Sequence, residues 1–221
     1  MKSTSAMQSV VGDLKREVTQ LPMPTVGVLA LQGAFNAHAQ ALRQLNVDVR
    51  EVRLPQDLDG VDGVVLPGGE STTMSQLLLT SGVFEVLTQR IEDGLPVMGT
   101  CAGLILLAKR VLDARPDQVS CSVLDVTVRR NGYGRQIDSF EADIAVTGLE
   151  TPLTAVFIRA PIIEEVGSGV EVIAQHNGVP VAVASQNVLA ASFHPELTND
   201  VRFHELFLHM ISSGSIVRND R

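Results

Sequence analysis

Tryptophan is absent from this sequence of 221 residues, and only one tyrosine and two cysteines occur in it. One pair of cysteines in a chain of this length does not form a disulfide framework, and the composition is typical of an intracellular protein. No apolar run approaches the length that spans a bilayer, and the first residues lack the apolar core of a signal peptide. The sequence therefore predicts a cytoplasmic protein without membrane contact.

Basic residues are also scarce, because 17 lysines and arginines face 25 acidic residues and give a formal net charge of −8. This balance argues against a broad basic surface for nucleic acid. No Cys/His spacing resembles a zinc site, so we expect neither a metal nor a cofactor. The hydrophobic fraction of 45% is ordinary for a globular chain long enough to bury one sizeable core.

The chain divides into three parts. Residues 1–24 form a polar N-terminal extension, residues 25–214 form one domain, and residues 215–221 form a short tail. Three interpretations of the extension stay open: a disordered segment, a wrongly assigned start, or an added contact.

Strands and helices alternate in the first half of the domain, as in an α/β protein. Apolar runs predict strands at 26–31, 47–52, 63–66 and 96–98, and helical spacing predicts helices over 34–45, 72–79, 83–92 and 102–111. This alternation implies right-handed crossovers and a mostly parallel sheet.

The second half contains mainly strands, at 122–128, 141–146, 155–158, 170–174, 179–184 and 188–193, before a closing helix over 200–212. Because the connections are short, we expect several of these strands to pair antiparallel. The sequence therefore predicts an α/β fold with a mixed, mostly parallel central sheet.

Cys101 lies in the segment Gly99-Thr-Cys-Ala-Gly103, between a short apolar strand and an apolar helical run. This arrangement is the cysteine counterpart of the Gly-x-Ser-x-Gly nucleophile elbow, in which glycines remove side chains that would collide around the sharp turn. The start of a helix also favours a thiolate. We interpret Cys101 as a nucleophile, with an inert buried cysteine as the alternative, and Cys121 as a core residue.

His194 is the histidine best placed to act as a base, because it ends an apolar strand and precedes Pro195-Glu196. Proline biases His194 toward an extended backbone, in which residues two apart point to the same side. Glu196 can then fix the imidazole tautomer. The alternative is a strand-end histidine beside a solvated glutamate.

Gly68 and Gly69 begin a loop at the carboxyl end of a predicted strand, where open α/β sheets bind ligands. Their backbone N–H groups, with that of Ala102, are suited to hold an oxyanion. In a simpler interpretation the loop is structural, and Ser71 or Thr72 caps the following helix.

Together these motifs resemble the triad class of glutamine amidotransferases, with Pro-Gly-Gly, Gly-x-Cys-x-Gly and His-Pro-Glu in that order. Further motifs make the chain similar to the glutaminase subunit of pyridoxal 5′-phosphate synthase over roughly residues 25 to 212. The motifs that carry this resemblance are Leu31–Ala34, Gly68–Thr73, Gly99–Gly103, Arg130-Asn131 with Gly134–Gln136, Asp138–Ala142, Phe157–Pro161 and Ser192–Thr198.

The resemblance implies a three-layer, flavodoxin-like fold and a triad of Cys101, His194 and Glu196. It also implies that L-glutamine is held by Gly69, Glu70, Ser71, Arg130, Ile158 and Arg159. Arginine suits the α-carboxylate of glutamine and a carboxylate suits its α-ammonium, although exposed surface positions are the alternative for both arginines. Ammonia would pass to a synthase subunit that combines a pentose phosphate with a triose phosphate.

Two departures from the family concern the partner. The family has a charged pair before His38, in a segment toward the synthase subunit, whereas this chain has Asn36-Ala37. The extension has no family counterpart. Because Gly68 and Gly69 allow a peptide flip, we also expect weak glutaminase activity in isolation and activation by the partner.

Three other functions remain open. One is the glutaminase of another amidotransferase, which would use the same triad with a different acceptor. A second is a hydrolase on the same scaffold, such as a γ-glutamyl peptidase, and a third is a binding subunit without catalytic activity.

Overall fold

A computed structural model describes residues 23–130 and 139–214 of the chain. The extension over 1–22, the tail over 215–221 and the predicted motif residues Asn131, Gly134–Gln136 and Asp138 lie outside the described residues. The predicted boundaries at residues 24 and 214 therefore stay predictions.

The central sheet has seven strands in the order β10-β11-β12-β4-β3-β1-β2. The strands β1 (Thr25–Leu29), β2 (Asp48–Val52), β3 (Gly63–Leu66), β4 (Val97–Thr100) and β12 (Val188–Ala191) pair parallel, whereas β10 (Glu171–His176) and β11 (Val179–Ser185) add antiparallel pairs at one edge. The predicted mixed, mostly parallel sheet is confirmed.

Helices cover both faces of this sheet, as the three-layer prediction requires. The helices α1 (Phe35–Gln44) and α5 (Arg202–Ser213) pack in one core, and α2 (Ser71–Thr80), α3 (Val83–Glu92) and α4 (Ala102–Leu107) pack in the other. In α5, Phe203, Leu206, Phe207 and Met210 recur at helical spacing and are all buried. Burying a side chain of this kind stabilises the fold by roughly 1.5–3 kcal/mol.

Two small sheets complete the layers. A three-stranded sheet in the order β5-β6-β9 joins Ala108–Leu112, Leu124–Arg129 and Ile162–Val166, and an antiparallel pair joins β7 (Phe140–Ile144) to β8 (Leu153–Phe157). Short 3-10 turns occur at Pro55–Leu58 and Pro195–Leu197.

The helix predicted over 102–111 is wrong in its second half, because α4 ends at Leu107 and β5 follows directly. An apolar run such as 104–108 fits either a helix or a strand, and the parallel pairing of β5 with β6 decides in favour of the strand. The sequence prediction also omitted β9, in which two acidic residues interrupt the apolar pattern while the backbone pairs antiparallel with β6.

Among the described residues, no helix is long and apolar enough to cross a membrane. The carboxyl ends of β3, β4 and β12 lie side by side in the sheet, and the glycine loop, Cys101 and His194 follow these three strands. The sheet thus brings together three segments that are far apart in sequence.

Candidate active site

Cys101 lies at the turn between β4 and α4, with φ 49° and ψ −102°. A positive φ in a residue other than glycine is strained and needs support from its surroundings. The Cys101 N–H donates to the carbonyl of Ala191 at 2.8 Å, which ties the turn to β12. A Cβ on Gly103 would overlap the carbonyl of Leu66, so the close approach of α4 to β3 requires glycine there. The predicted elbow is confirmed in its geometry.

His194 reaches Cys101 because β12 and β4 are parallel neighbours, with Ala191 opposite Thr100. The His194 N–H donates to the carbonyl of Val156 at 2.8 Å, and the ring interacts with the side chain of Cys101. The Nδ1 of His194 lies 2.7 Å from Oε1 of Glu196. The two residues meet through the 3-10 turn that begins at Pro195, rather than through the extended chain that the sequence suggested.

Interactions among Cys101, His194 and Glu196 stabilise the charged forms of the histidine and the glutamate. Burial alone would lower the pKa of His194, but its interactions with Cys101 and Glu196 raise it to about 10. Burial would likewise raise the pKa of Glu196, but His38 and His194 hold it well below its ordinary value. The group is therefore suited to an imidazolium between a thiolate and a carboxylate.

The glycine loop lies directly against the histidine. A Cβ on Gly68 would overlap the His194 ring, which explains why this position has no side chain. The Gly68 carbonyl accepts a hydrogen bond from the Ala34 N–H at 2.9 Å. Ala102 opens α4 directly after Cys101, where a backbone N–H has no acceptor within the helix.

Glu70 is the N-cap of α2, so the predicted capping by Ser71 or Thr72 is wrong. Its carboxylate accepts from the N–H groups of Thr72 at 3.1 Å and Thr73 at 2.7 Å. Partial burial opposes its charge, but these hydrogen bonds lower the pKa of Glu70 to about 2. Arg130 lies 3.3 Å from the same carboxylate. Glu70 is therefore a fixed negative charge at the site.

Gln118 joins the groups beside the site, although it belongs to none of the predicted motifs. Its Oε1 accepts hydrogen bonds from Arg130 Nη1 and, at 3.3 Å, from Thr72 Oγ1. Its Nε2 donates to Ser71 Oγ at 3.3 Å. Gln118 therefore fixes the direction of Arg130 relative to the loop.

A cavity of about 490 Å³ opens where these groups converge. Nine of the predicted site residues line it, namely Gly68, Gly69, Glu70, Ser71, Cys101, Arg130, Ile158, Arg159 and His194. Glu196 and Ala102 do not line the cavity: Glu196 lies behind the histidine, and Ala102 follows Cys101 at the start of α4. Arg159 is exposed and lines this cavity, and none of the ion pairs among the described residues includes it.

The sequence prediction omitted several residues of the site. Gln32, Gly33, Ala34, Ile105 and Leu197 also line the cavity. The first three belong to the motif Leu31–Ala34, which could have identified them. His38, which contacts Glu196, stood out in the sequence only as a family position toward the synthase subunit, and nothing there linked it to Glu196.

Elsewhere in the described residues, a second cavity and a second cysteine lack these features. A cavity of about 440 Å³ beside β5 and β6 is lined by the ion pairs Lys109–Asp125 and Arg110–Glu165, without a cysteine or histidine. Within residues 23–130 and 139–214, no group of three His, Cys, Asp or Glu side chains could hold a metal ion. Cys121 is buried, which raises the pKa of its thiol, so it is unsuited to act as a nucleophile.

Comparison with known proteins identifies close relatives. The chain is 53% identical over 191 residues to the pyridoxal 5′-phosphate synthase subunit PdxT of Mycobacteroides abscessus, covering 86% of this chain and 99% of that protein. It is also 53% identical over 192 residues to the subunit of the same name from Corynebacterium jeikeium, covering 86% and 98% of the two chains.

A solved structure and a family model agree with these relatives. A crystal structure described as a glutamine amidotransferase superposes with a TM-score of 0.81 at 46% identity, covering 85% of this chain and 98% of that one. The model of the SNO glutamine amidotransferase family matches residues 28–213. The chain therefore belongs to the SNO glutamine amidotransferase family.

Proposed function

We propose that this protein hydrolyses L-glutamine to L-glutamate and ammonia and supplies the ammonia to a separate synthase subunit. That subunit makes pyridoxal 5′-phosphate from a pentose phosphate and a triose phosphate. The observation that carries the proposal is that Cys101 and His194 meet at the wall of one cavity of about 490 Å³, with Nδ1 of His194 2.7 Å from Oε1 of Glu196. Two relatives that are 53% identical to the chain have the name of such a subunit. We place this reaction in the cytoplasm.

Cys101 is the nucleophile in this proposal. Its thiolate attacks the side-chain amide carbon of glutamine and forms a tetrahedral intermediate. His194 gives a proton to the departing nitrogen, the carbon–nitrogen bond breaks, and ammonia leaves a γ-glutamyl thioester. Water then attacks the thioester and gives a proton to His194, so that glutamate and the thiolate are released. Glu196 keeps the histidine in the orientation that both steps need.

Backbone N–H groups of Gly68, Gly69 and Ala102 form the oxyanion hole in this mechanism. A donor of this kind typically stabilises the transition state by roughly 3 kcal/mol. The Gly68 carbonyl is held by the Ala34 N–H, and the N–H of the same trans peptide points the opposite way. A flip of this peptide would break that hydrogen bond, so the loop before α1 can control the hole.

The two ends of glutamine are distinguished by charge. We assign its α-carboxylate to Arg130 and Arg159, and its α-ammonium to the fixed negative charge of Glu70. Gly69, Ser71 and Ile158 form the remaining contacts. Glu70 also pairs with Arg130 at 3.3 Å, which keeps a cation and an anion at the spacing of an amino acid head group.

The experiment that tests the function measures glutamate release by the purified protein, alone and with a pyridoxal 5′-phosphate synthase subunit. We expect slow hydrolysis alone and an increase of at least about tenfold in the complex, which corresponds to about 1.4 kcal/mol of barrier. Cys101→Ala should release no glutamate above background in either condition, while Cys121→Ala should match the wild type.

Each of the three alternative functions predicts a different result in this experiment. A γ-glutamyl peptidase would work at full rate alone and accept larger γ-glutamyl substrates. A glutaminase of another pathway would bind a different partner and ignore this synthase. A binding subunit without catalytic activity would release no glutamate in the complex.

A further inference from the structure

His38 lies behind the catalytic group rather than in the cavity. It is on α1, it is fully buried, and its Nε2 lies 3.2 Å from Oε2 of Glu196 and 3.0 Å from Oγ1 of Thr100. Its Nδ1 lies 2.9 Å from Nε2 of His204, which is fully buried on α5. A polar series of His204, His38, Glu196 and His194 therefore ends at Cys101; we call it the buried series.

Glu196 depends on the buried series for a hydrogen-bond donor to its second carboxylate oxygen, Oε2. Its side chain is fully buried, and Oε1 is occupied by His194. Oε2 makes no aligned hydrogen bond with any described residue, although His38 Nε2 lies within reach. A buried carboxylate oxygen without a donor is costly, so a small turn of the His38 ring from Thr100 toward Glu196 would be favourable.

The positions of the His38 and His204 rings also determine which nitrogen of each ring carries the proton. In the part of the chain that the structure describes, Nδ1 of His204 has no partner, so a proton there would lack an acceptor. The proton of His204 is therefore placed on Nε2, from which it points to Nδ1 of His38. His38 then has its own proton on Nε2, facing Glu196 and Thr100. In this arrangement both neutral rings direct an N–H along the series toward the carboxylate.

We propose that His38 is a positioning residue of the glutaminase, which holds Glu196 in line with His194 through its Nε2–H, and that His204 fixes the tautomer of His38. The proposal rests on the proposed function, since Cys101 and His194 must be the reacting pair. It does not make His38 a contact of glutamine, because His38 does not line the cavity.

Substitutions of His38 test the proposal in the complex with the synthase subunit. His38→Leu removes the donor, and we expect kcat to fall by about 10- to 100-fold, as for a lost hydrogen bond to a charged group, while KM for glutamine stays within about twofold. His38→Gln places an amide N–H near the lost Nε2–H and should recover most of kcat. His38→Asn is too short to reach Glu196 and should not.

The pH profile separates positioning from a structural role. The ionisable groups that face His38 are Glu196 and His204, with His194 beyond Glu196. When Glu196 is less well aligned, the imidazolium of His194 is less stabilised, so the alkaline limb of kcat/KM should move down by about one pH unit in His38→Leu. His38→Gln should leave this limb near its wild-type position.

Leu42→Val is the matched control, because Leu42 is fully buried on the same helix but has no polar group that could bond a member of the buried series. It should lower the Tm while leaving kcat and the pH profile unchanged. A kcat within twofold of wild type in folded His38→Leu would overturn the proposal, and so would equal kcat in the Gln and Asn variants. If His38→Leu does not fold, the comparison of Gln with Asn decides.

A measurement without glutamine keeps this proposal distinct from the proposed function. Iodoacetamide alkylation of Cys101 at pH 7 should be slower in His38→Leu and restored in His38→Gln. A wild-type complex that releases no glutamate would defeat the proposed function, whereas equal alkylation rates in wild type and His38→Leu would defeat the role of His38.

Discussion

The two sides of His194 differ in how their charges are held. In front of the ring, Glu70 and Arg159 are exposed to solvent, and Glu70 is fixed by the start of a helix and by Arg130. Behind the ring, the side chains of Glu196 and His38 are fully buried and depend on one another. When a contact in front of the ring is lost, solvent therefore reduces the electrostatic cost, whereas no solvent replaces a contact that is lost behind the ring.

This difference separates binding from chemistry. The front groups face the cavity that we assign to glutamine, so changes there should act mainly on KM. Glu196 and His38, behind the ring, do not line the cavity and act through His194, so changes there should act on kcat and its pH dependence. Substitutions on the two sides can confirm or break this division, and their expected effects decrease in the order that follows.

Glu196→Gln should have the largest effect, because it removes the buried carboxylate while keeping its size. The amide no longer stabilises an imidazolium at His194, whose pKa of about 10 depends on Glu196 as well as on Cys101. We expect kcat in the complex to fall roughly 10³-fold with little change in KM, by analogy with other triads. Steady-state glutaminase kinetics would measure it. A loss of less than threefold would contradict the division between the two sides.

Much of the fold was predictable because adjacent residues carry the signal. The alternating runs around β1 to β4 predicted the parallel sheet, and the glycines around Cys101 predicted its turn. The strand β5 was missed because Ala108–Leu112 directly follows the apolar run of α4 without a break, and its pairing with β6 is a tertiary contact. The strand β9 was missed because the acidic residues Glu164 and Glu165 interrupt its apolar pattern.

The residues of the site also divide into those that have a motif in the sequence and those that do not. Cys101, His194 and Glu196 have local motifs, so sequence reasoning placed all three. His38 and His204 are 166 positions apart and have no motif between them, and only the packing of α1 against α5 brings their rings together. Gln118 likewise gains its role from three residues distant in sequence. Sequence reasoning identified the triad and most of the groups in front of His194, and it missed Gln118 and the two histidines behind Glu196.

Gln118→Ala should have an intermediate effect on the front side. It frees Arg130 from the loop without removing the arginine, so we expect KM for glutamine to rise about tenfold and kcat to stay within twofold. Gln76→Ala is the control, because the Gln76 amide also holds this segment, by donating to the Asp117 carbonyl, without contacting Arg130. Equal kinetics of the two variants would mean that Gln118 only stabilises the segment.

His204→Gln should have the smallest effect, on stability at acidic pH. Burial lowers the pKa of His204 to about 3, so the folded protein keeps this ring neutral while the unfolded chain takes up a proton near pH 6.5. Wild-type stability therefore falls as the pH drops from 6.5 toward 3, and the glutamine variant lacks this contribution. Between pH 7.5 and pH 5.0 its Tm should fall by about 4 °C less than that of wild type.

His209→Gln, on the same helix but only partly buried, is the control for this measurement and should follow the wild type. Parallel Tm curves for wild type and His204→Gln would show that His204 takes up its proton equally in the folded and unfolded chains. The ring would then be charged inside the protein, its Nε2–H could still face His38, and its Nδ1–H would need an acceptor that the described residues do not supply. If the Tm of the variant falls less at acidic pH, the result supports neutral rings at His38 and His204. The direction of hydrogen-bond donation along the buried series depends on these neutral rings.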